Sequence, residues 1–287
     1  MNINMKYYIV TICAIFIALG VGILVGFNLN YDQALSKQQS EVLESFNTEF
    51  ESLKDKNKNL HSQIEDLNGE LDTIKEFVDK NIDALTDKNT GIILTSENND
   101  YSEIVEDLIK KANGTVSFNI IVKDNINKED KLSEISMSLN KTFESSSDVI
   151  NYIVECLNSA KNYDQLYALE NLGVIKINNL DEKKYQDYDS VVLLGELTGK
   201  DAKIKFDQKE KIILNKLKEN NKYLVAANQS KSDNTILKLY SENNISTIDN
   251  INEGIGKVSL TNLLKNQNVV GHYGTSDVST EIIAYEK

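Results

Sequence analysis

The chain has 287 residues, enough for about two domains, and carries 31 Lys and no Arg against 44 Asp and Glu, a formal charge of −13. A chain this acidic, with no Arg, excludes a nucleic-acid partner, because phosphate recognition needs clustered cations and favours Arg. Cys13 and Cys156, His61 and His272, and Met1, Met5 and Met137 lie far apart, so a disulfide framework is excluded and no zinc or Cu(I) ligand spacing exists.

Residues 8–27 (YIVTICAIFIALGVGILVGF) form an uncharged run of twenty. As a helix it measures about 30 Å, the thickness of a bilayer's hydrocarbon core. A cleaved signal peptide has a shorter apolar core and a small-residue cleavage site. Gly26-Phe27-Asn28-Leu29 is a poor one, so an uncleaved transmembrane anchor is expected. Lys6 precedes the run, and the first cation behind it is Lys37. Positive-inside logic then puts residues 1–7 in the cytoplasm and the bulk of the chain outside the cell membrane. Ala14, Ala18, Gly22 and Gly26 fall four apart on one helix face, a stripe that lets two membrane helices pack closely.

Residues 31–88 are expected to be a coiled-coil helix. Its a and d positions can be written without a break as Leu43, Phe46, Phe50, Leu53, Asn57, Leu60, Ile64, Leu67, Leu71, Ile74, Val78, Asn81 and Leu85. Eleven of these thirteen are apolar, which meets the heptad criterion. Asn57 at an a position favours a parallel dimer in one register. The g–e pairs Glu49 with Lys54 and Glu70 with Lys75 are attractive between parallel partners. The expected first partner is therefore a second copy of the chain, as a parallel homodimer.

Asn89-Thr90-Gly91 breaks the heptads with turn chemistry. Over 90–287, apolar runs alternate with helical periods. Strands are expected at 91–96, 115–122, 191–194, 223–227 and 245–248, with a short run at 281–285 closing the chain. Helices are expected at 101–112, as two or three pieces over 128–172, and at 207–219, 235–242 and 257–264. This alternation predicts an extracytoplasmic α/β domain with a mostly parallel sheet. Ligands of such sheets bind beyond the carboxyl ends of the strands, here Ser96-Glu97-Asn98, residues 195–200, Asn228-Gln229-Ser230 and Asp249-Asn250.

Catalytic patterns fail residue by residue. A phosphate loop needs G-x-x-x-x-G-K-[ST]. Before Gly199-Lys200 the first Gly is Leu194, and Asp201 stands for the hydroxyl. Before Gly256-Lys257 it is Ile251, and Val258 stands for the hydroxyl. Neither a dinucleotide fingerprint, a nucleophile elbow nor a Cys–His pairing is visible. Cys156 falls on an apolar helix face as a core thiol. The chain is read as a non-enzyme that needs no cofactor.

Three further stretches carry a resemblance. With A-I-F-I-A-L-G-V-G-I-L-V-G (residues 14–26) they are Ser246-Thr247-Ile248-Asp249, Gly256-Lys257-Val258-Ser259-Leu260 and Gly271-His272-Tyr273-Gly274. In this order, around a heptad helix, they resemble the MctB family, described as copper transporters and taken to include SteB-like membrane-anchored cell-separation proteins. The resemblance implies two functions. One is an anchored scaffold or adaptor in cell-envelope maintenance or cell separation, with a cytoplasmic or membrane partner and a cell-wall hydrolase. The other is copper transport or copper homeostasis, with copper entering through the resemblance alone. The residues favour the first, since copper ligands are not clustered and one apolar helix encloses no pore. Asp249, Gly256, Gly271, His272, Tyr273 and Gly274 are the candidate partner or ligand residues. The same glycines also fit a tight turn around a packed Tyr.

Overall fold

The computed structural model describes residues 5–81 and 83–284, with the side chains of residues 28–36, 68, 70–81, 127 and 129 outside that description. It consists of two compact units, Met1–Asn68 and Gly69–Lys287.

A chain without proline can extend a helix unbroken, and helix α1 runs Met5–Asn81. The sequence suggested an anchor and a separate helix reaching residue 88. One element carries both, and it stops at Asn81. Leu85, assigned above to the last a position, is fully buried in the α/β unit instead. Its N–H donates to the Ala112 carbonyl at 2.9 Å, and Asp87 turns the chain with φ +63°. The heptad period persists by coincidence past the point where the backbone leaves the helix.

Within α1, Met5–Phe27 contains an 18-residue window with a mean hydropathy of 2.8, none of it buried. Its 23 residues measure about 34 Å as a helix, long enough to cross a bilayer. Gly22 and Gly26 face open space. Farther along, Leu43, Phe46, Phe50, Leu53, Leu60, Ile64 and Leu67 are each more than half exposed. The remaining heptad positions Leu71, Ile74, Val78 and Asn81, and the pair Glu70 and Lys75, lie outside the described side chains.

The second unit follows as β1 (Asn89–Leu94), α2 (Ser102–Lys111), β2 (Thr115–Val122), α3 (Glu129–Leu139), α4 (Ser146–Leu157) and α5 (Tyr163–Asn171). Then come β3 (Ile175–Leu180), β4 (Ser190–Leu194), α6 (Ala202–Gln208), α7 (Glu210–Glu219) and β5 (Tyr223–Ala227). It closes with α8 (Thr235–Glu242), β6 (Ser246–Ile248), α9 (Gly254–Asn266) and β7 (His272–Tyr273). The strands form one sheet in the order β3-β2-β1-β4-β5-β6-β7. Every neighbouring pair is parallel except β2 with β3.

Both faces are covered, as a parallel sheet requires. Along β4, Val191 and Leu193 enter one core and Val192 and Leu194 the other. Local signals place the helices. Ser145 and Asp148 form a reciprocal capping box that starts α4, and Asn140 ends α3 in the left-handed conformation.

Two strands and one helix were not expected. β3 (IKINNL) is polar because its outer residues bond rather than pack: Asn178 donates to Asp100 at 3.0 Å and Asn179 to Glu106 at 2.8 Å. β7 is two residues long. The expected helix 207–219 is split at Lys209, which breaks the helical backbone with φ −132° and ψ −68°.

Candidate functional site

β1 leads outward through β2 to β3, whereas β4 lies on the other side of β1 and leads to β5, β6 and β7. The loops after β1 and β4 therefore diverge at the centre of the sheet. This switch point is where open α/β sheets leave a crevice, and a cavity of about 390 Å³ lies there.

One wall is Thr95, Ser96 and Asn98, following β1. The opposite wall is Glu196, Leu197 and Thr198, following β4. Both are among the strand-end segments expected to hold a ligand. No local pattern marks the remaining wall: Asp124 beyond β2, Lys205 and Gln208 of α6, and Lys209.

Lys209 is buried, and its ammonium donates to the Thr95 carbonyl at 2.6 Å and to the Asp124 carboxylate in a short contact. One side chain thus ties the ends of β1 and β2 to the α6–α7 junction. No local pattern announces this, because the contacts span 114 and 85 residues.

Glu210 is fully buried beside it. The Thr95 hydroxyl stands close to its carboxyl but bonds to the Leu194 carbonyl at 3.4 Å, so neither carboxyl oxygen has a partner among the described residues. Burial pushes the Glu210 carboxyl up, against the opposing pull of Lys209. At low pH the proton is held in both folded and unfolded chains. Above 4.5, its ordinary value, the unfolded chain releases the proton first. The stability this group contributes is thus complete below 4.5 and is lost as pH rises through the folded value. The melting temperature of Glu210→Gln relative to the parent should therefore climb with pH from 4.5 upward, as read by thermal unfolding. A difference independent of pH would contradict the assignment.

Tyr101 belongs to the core on the other face of the sheet and does not line the crevice. Its hydroxyl accepts from the Gly195 N–H at 3.2 Å and lies 3.1 Å from the Ala227 carbonyl, which holds the ends of β4 and β5 together. Burial pushes this phenol well above its usual range.

Asp249, Gly256 and Gly271–Gly274 meet at the opposite edge of the sheet. Asp249 accepts from the N–H groups of Thr275 (3.0 Å) and Ser276 (2.6 Å) and from the Ser279 hydroxyl (2.8 Å). Gly274 has φ +135°, and a Cβ there would sit 1.8 Å from Asp249 Oδ1. A Cβ on Gly256 would sit 2.1 Å from the Asn250 carbonyl, so only glycine lets α9 approach β6 this closely. Tyr273 is buried and the His272 Nδ1 lies 3.0 Å from the Thr247 hydroxyl. Burial pushes the His272 imidazole down, toward its neutral form. The six residues form a tight, internally bonded corner.

The soft ligands stay apart. Cys156 is buried in the core on α4, with its thiol pushed up to about 11 by burial. Met137 is exposed on α3, His272 sits on the edge strand β7, and His61 belongs to the other unit. Among the described residues no group of three or more His, Cys, Asp or Glu could hold a metal ion.

An apolar helix of membrane-spanning length, followed by a seven-stranded, mostly parallel α/β sheet with a crevice at its switch point, defines the class: a membrane-anchored α/β protein. The family model described as "Copper transport outer membrane protein, MctB" matches residues 2–283. The chain belongs to the MctB family. A comparison with curated proteins returns no match.

Proposed function

We propose that this protein is a non-enzymatic scaffold, anchored by α1 and acting outside the cytoplasm as a parallel coiled-coil homodimer in cell-envelope maintenance or cell separation. The observation that carries this is the stripe of large apolar side chains on α1, from Leu43 to Leu67, each more than half exposed. An apolar stripe at heptad spacing is stable in water only against a partner. A second copy supplies the same stripe in register, with Asn57 facing Asn57. The stripe Ala14, Ala18, Gly22 and Gly26 continues the pairing into the membrane. Beyond itself and the membrane, the fitting partners are a cytoplasmic or membrane protein on one side and a cell-wall hydrolase on the other.

Orientation follows from Lys6 ahead of the span and no cation close behind it. Protease added to intact, wall-stripped cells should digest the chain beyond Phe27. Protection until lysis would overturn the orientation.

Copper transport is the second reading, favoured by the family description. It requires His or sulfur ligands to converge. On the scaffold reading, the full-length protein in detergent binds Cu(I) no more tightly than about micromolar. His272→Ala with Cys156→Ala then leaves cellular copper tolerance unchanged. A tight stoichiometric Cu(I) complex, or copper sensitivity in that double variant, would establish the copper reading instead.

A further inference from the structure

The crevice at the switch point is distinct from the helix that carries the scaffold function, and its chemistry is narrow. Of its lining residues only Leu197 is apolar, so an aliphatic or aromatic ligand would find little to pack against. The two carboxylates (Asp124, Glu196) and two ammonium groups (Lys205, Lys209) cancel in charge. Lys209, moreover, is already committed to Asp124 and the Thr95 carbonyl. An anion or a cation would therefore enter without a net field to hold it. What the walls do present is a mixture of acceptors and donors: carboxylates that only accept, ammonium groups that only donate, and the hydroxyls and amides of Ser96, Thr198, Asn98 and Gln208 that do both.

Glu210 adds an independent observation. Its carboxyl is fully buried next to Lys209 of the wall and has no hydrogen-bond partner among the described residues, but it does not itself line the cavity. A buried polar group without a partner is costly, so the interior beside the wall is polar as well, and the hydrogen bonds to a ligand come from the lining residues themselves.

We propose that the crevice between β1 and β4 binds a small, uncharged, hydroxyl-rich molecule, of the chemistry of one or two sugar rings. Adjacent hydroxyls suit this lining because each both donates and accepts. The cavity, at about 390 Å³, falls in the range of small-molecule sites. The proposal does not depend on the scaffold reading.

The test is saturation-transfer NMR on the full-length protein in nanodiscs free of glycolipid. The probes are N-acetylglucosamine and its β1,4-linked dimer, with inorganic phosphate and glycine as charged and zwitterionic comparisons. We expect one of the sugar probes to receive saturation at about 1 mM. Thr198→Trp, which fills the crevice from its exposed rim, should abolish the signal. Asn98→Ala with Gln208→Ala, also exposed, should weaken binding roughly tenfold. Unchanged melting curves would show that both variants fold. Binding of phosphate or glycine in place of the sugars would overturn the ligand class. A sugar signal that survives Thr198→Trp would overturn the location, and no binding by any probe would overturn the site.

Discussion

Leu60→Pro combined with Leu67→Pro is expected to leave the protein in the membrane but unable to pair. Each proline inside a helix removes a backbone hydrogen bond and clashes with the preceding turn, at a cost of about 3 kcal/mol. The two lie one heptad apart in the C-terminal half of the exposed stripe, so the pairing segment beyond Asn57 is broken twice. The α/β unit, Gly69–Lys287, makes its own core and should keep its structure. The measurement is the oligomeric state in detergent, with circular dichroism to confirm the sheet domain. In cells the same variant should show an envelope or cell-separation defect with normal copper tolerance. A dimer that survives both prolines would place self-association elsewhere.

Asp124→Ala should be the most damaging single change at the crevice, and more damaging than Lys209→Met. The Lys209 side chain is 7% exposed and that of Asp124 is 72% exposed. Removing Lys209 leaves a carboxylate that water already solvates, together with an unsatisfied Thr95 carbonyl, for roughly 1–3 kcal/mol. Removing Asp124 leaves a buried ammonium without its counter-ion, which costs more than the Lys209 change although, with Asp124 itself solvated, less than the about 3–5 kcal/mol of a pair buried on both sides. Glu210 can relieve that charge only by ionising. Glu210→Gln should therefore raise stability in the parent at neutral pH, yet lower it in the Asp124→Ala background. Denaturant unfolding of the four proteins measures this reversal of sign. Simple additivity would show that Glu210 and Lys209 do not share one electrostatic site.

The legible parts of the fold were those with local signals. The apolar run at 8–27, the strand 115–122 after the turn residues Asn113-Gly114, and the segments 223–227 and 235–242 agree with the structure because burial and turn chemistry act within a few residues. The strand β3 was hidden because Asn178 and Asn179 are used for hydrogen bonds to Asp100 and Glu106, which removes the apolar alternation. Leu85 misled in the other direction. It continued a period of seven after the helix had ended, since a core leucine looks the same in either setting. Half of the crevice could be read from the rule that ligands sit beyond strand ends, which pointed to Ser96, Asn98, Glu196 and Thr198. Asp124, Lys209 and Glu210 could not, because their meeting depends on the strand order.

The central claim is a parallel pair of α1 helices, and cysteine cross-linking in native membranes tests it most directly. In a Cys13→Ser background, with Cys156 buried, Leu53→Cys and Leu60→Cys should each join to the same position of a second chain. Loss of the Leu53→Cys cross-link in the Leu60→Pro, Leu67→Pro background would complete the agreement. If neither position links to itself, and Leu43→Cys in one chain joins only to Leu67→Cys in another, the helices run antiparallel and the account is contradicted.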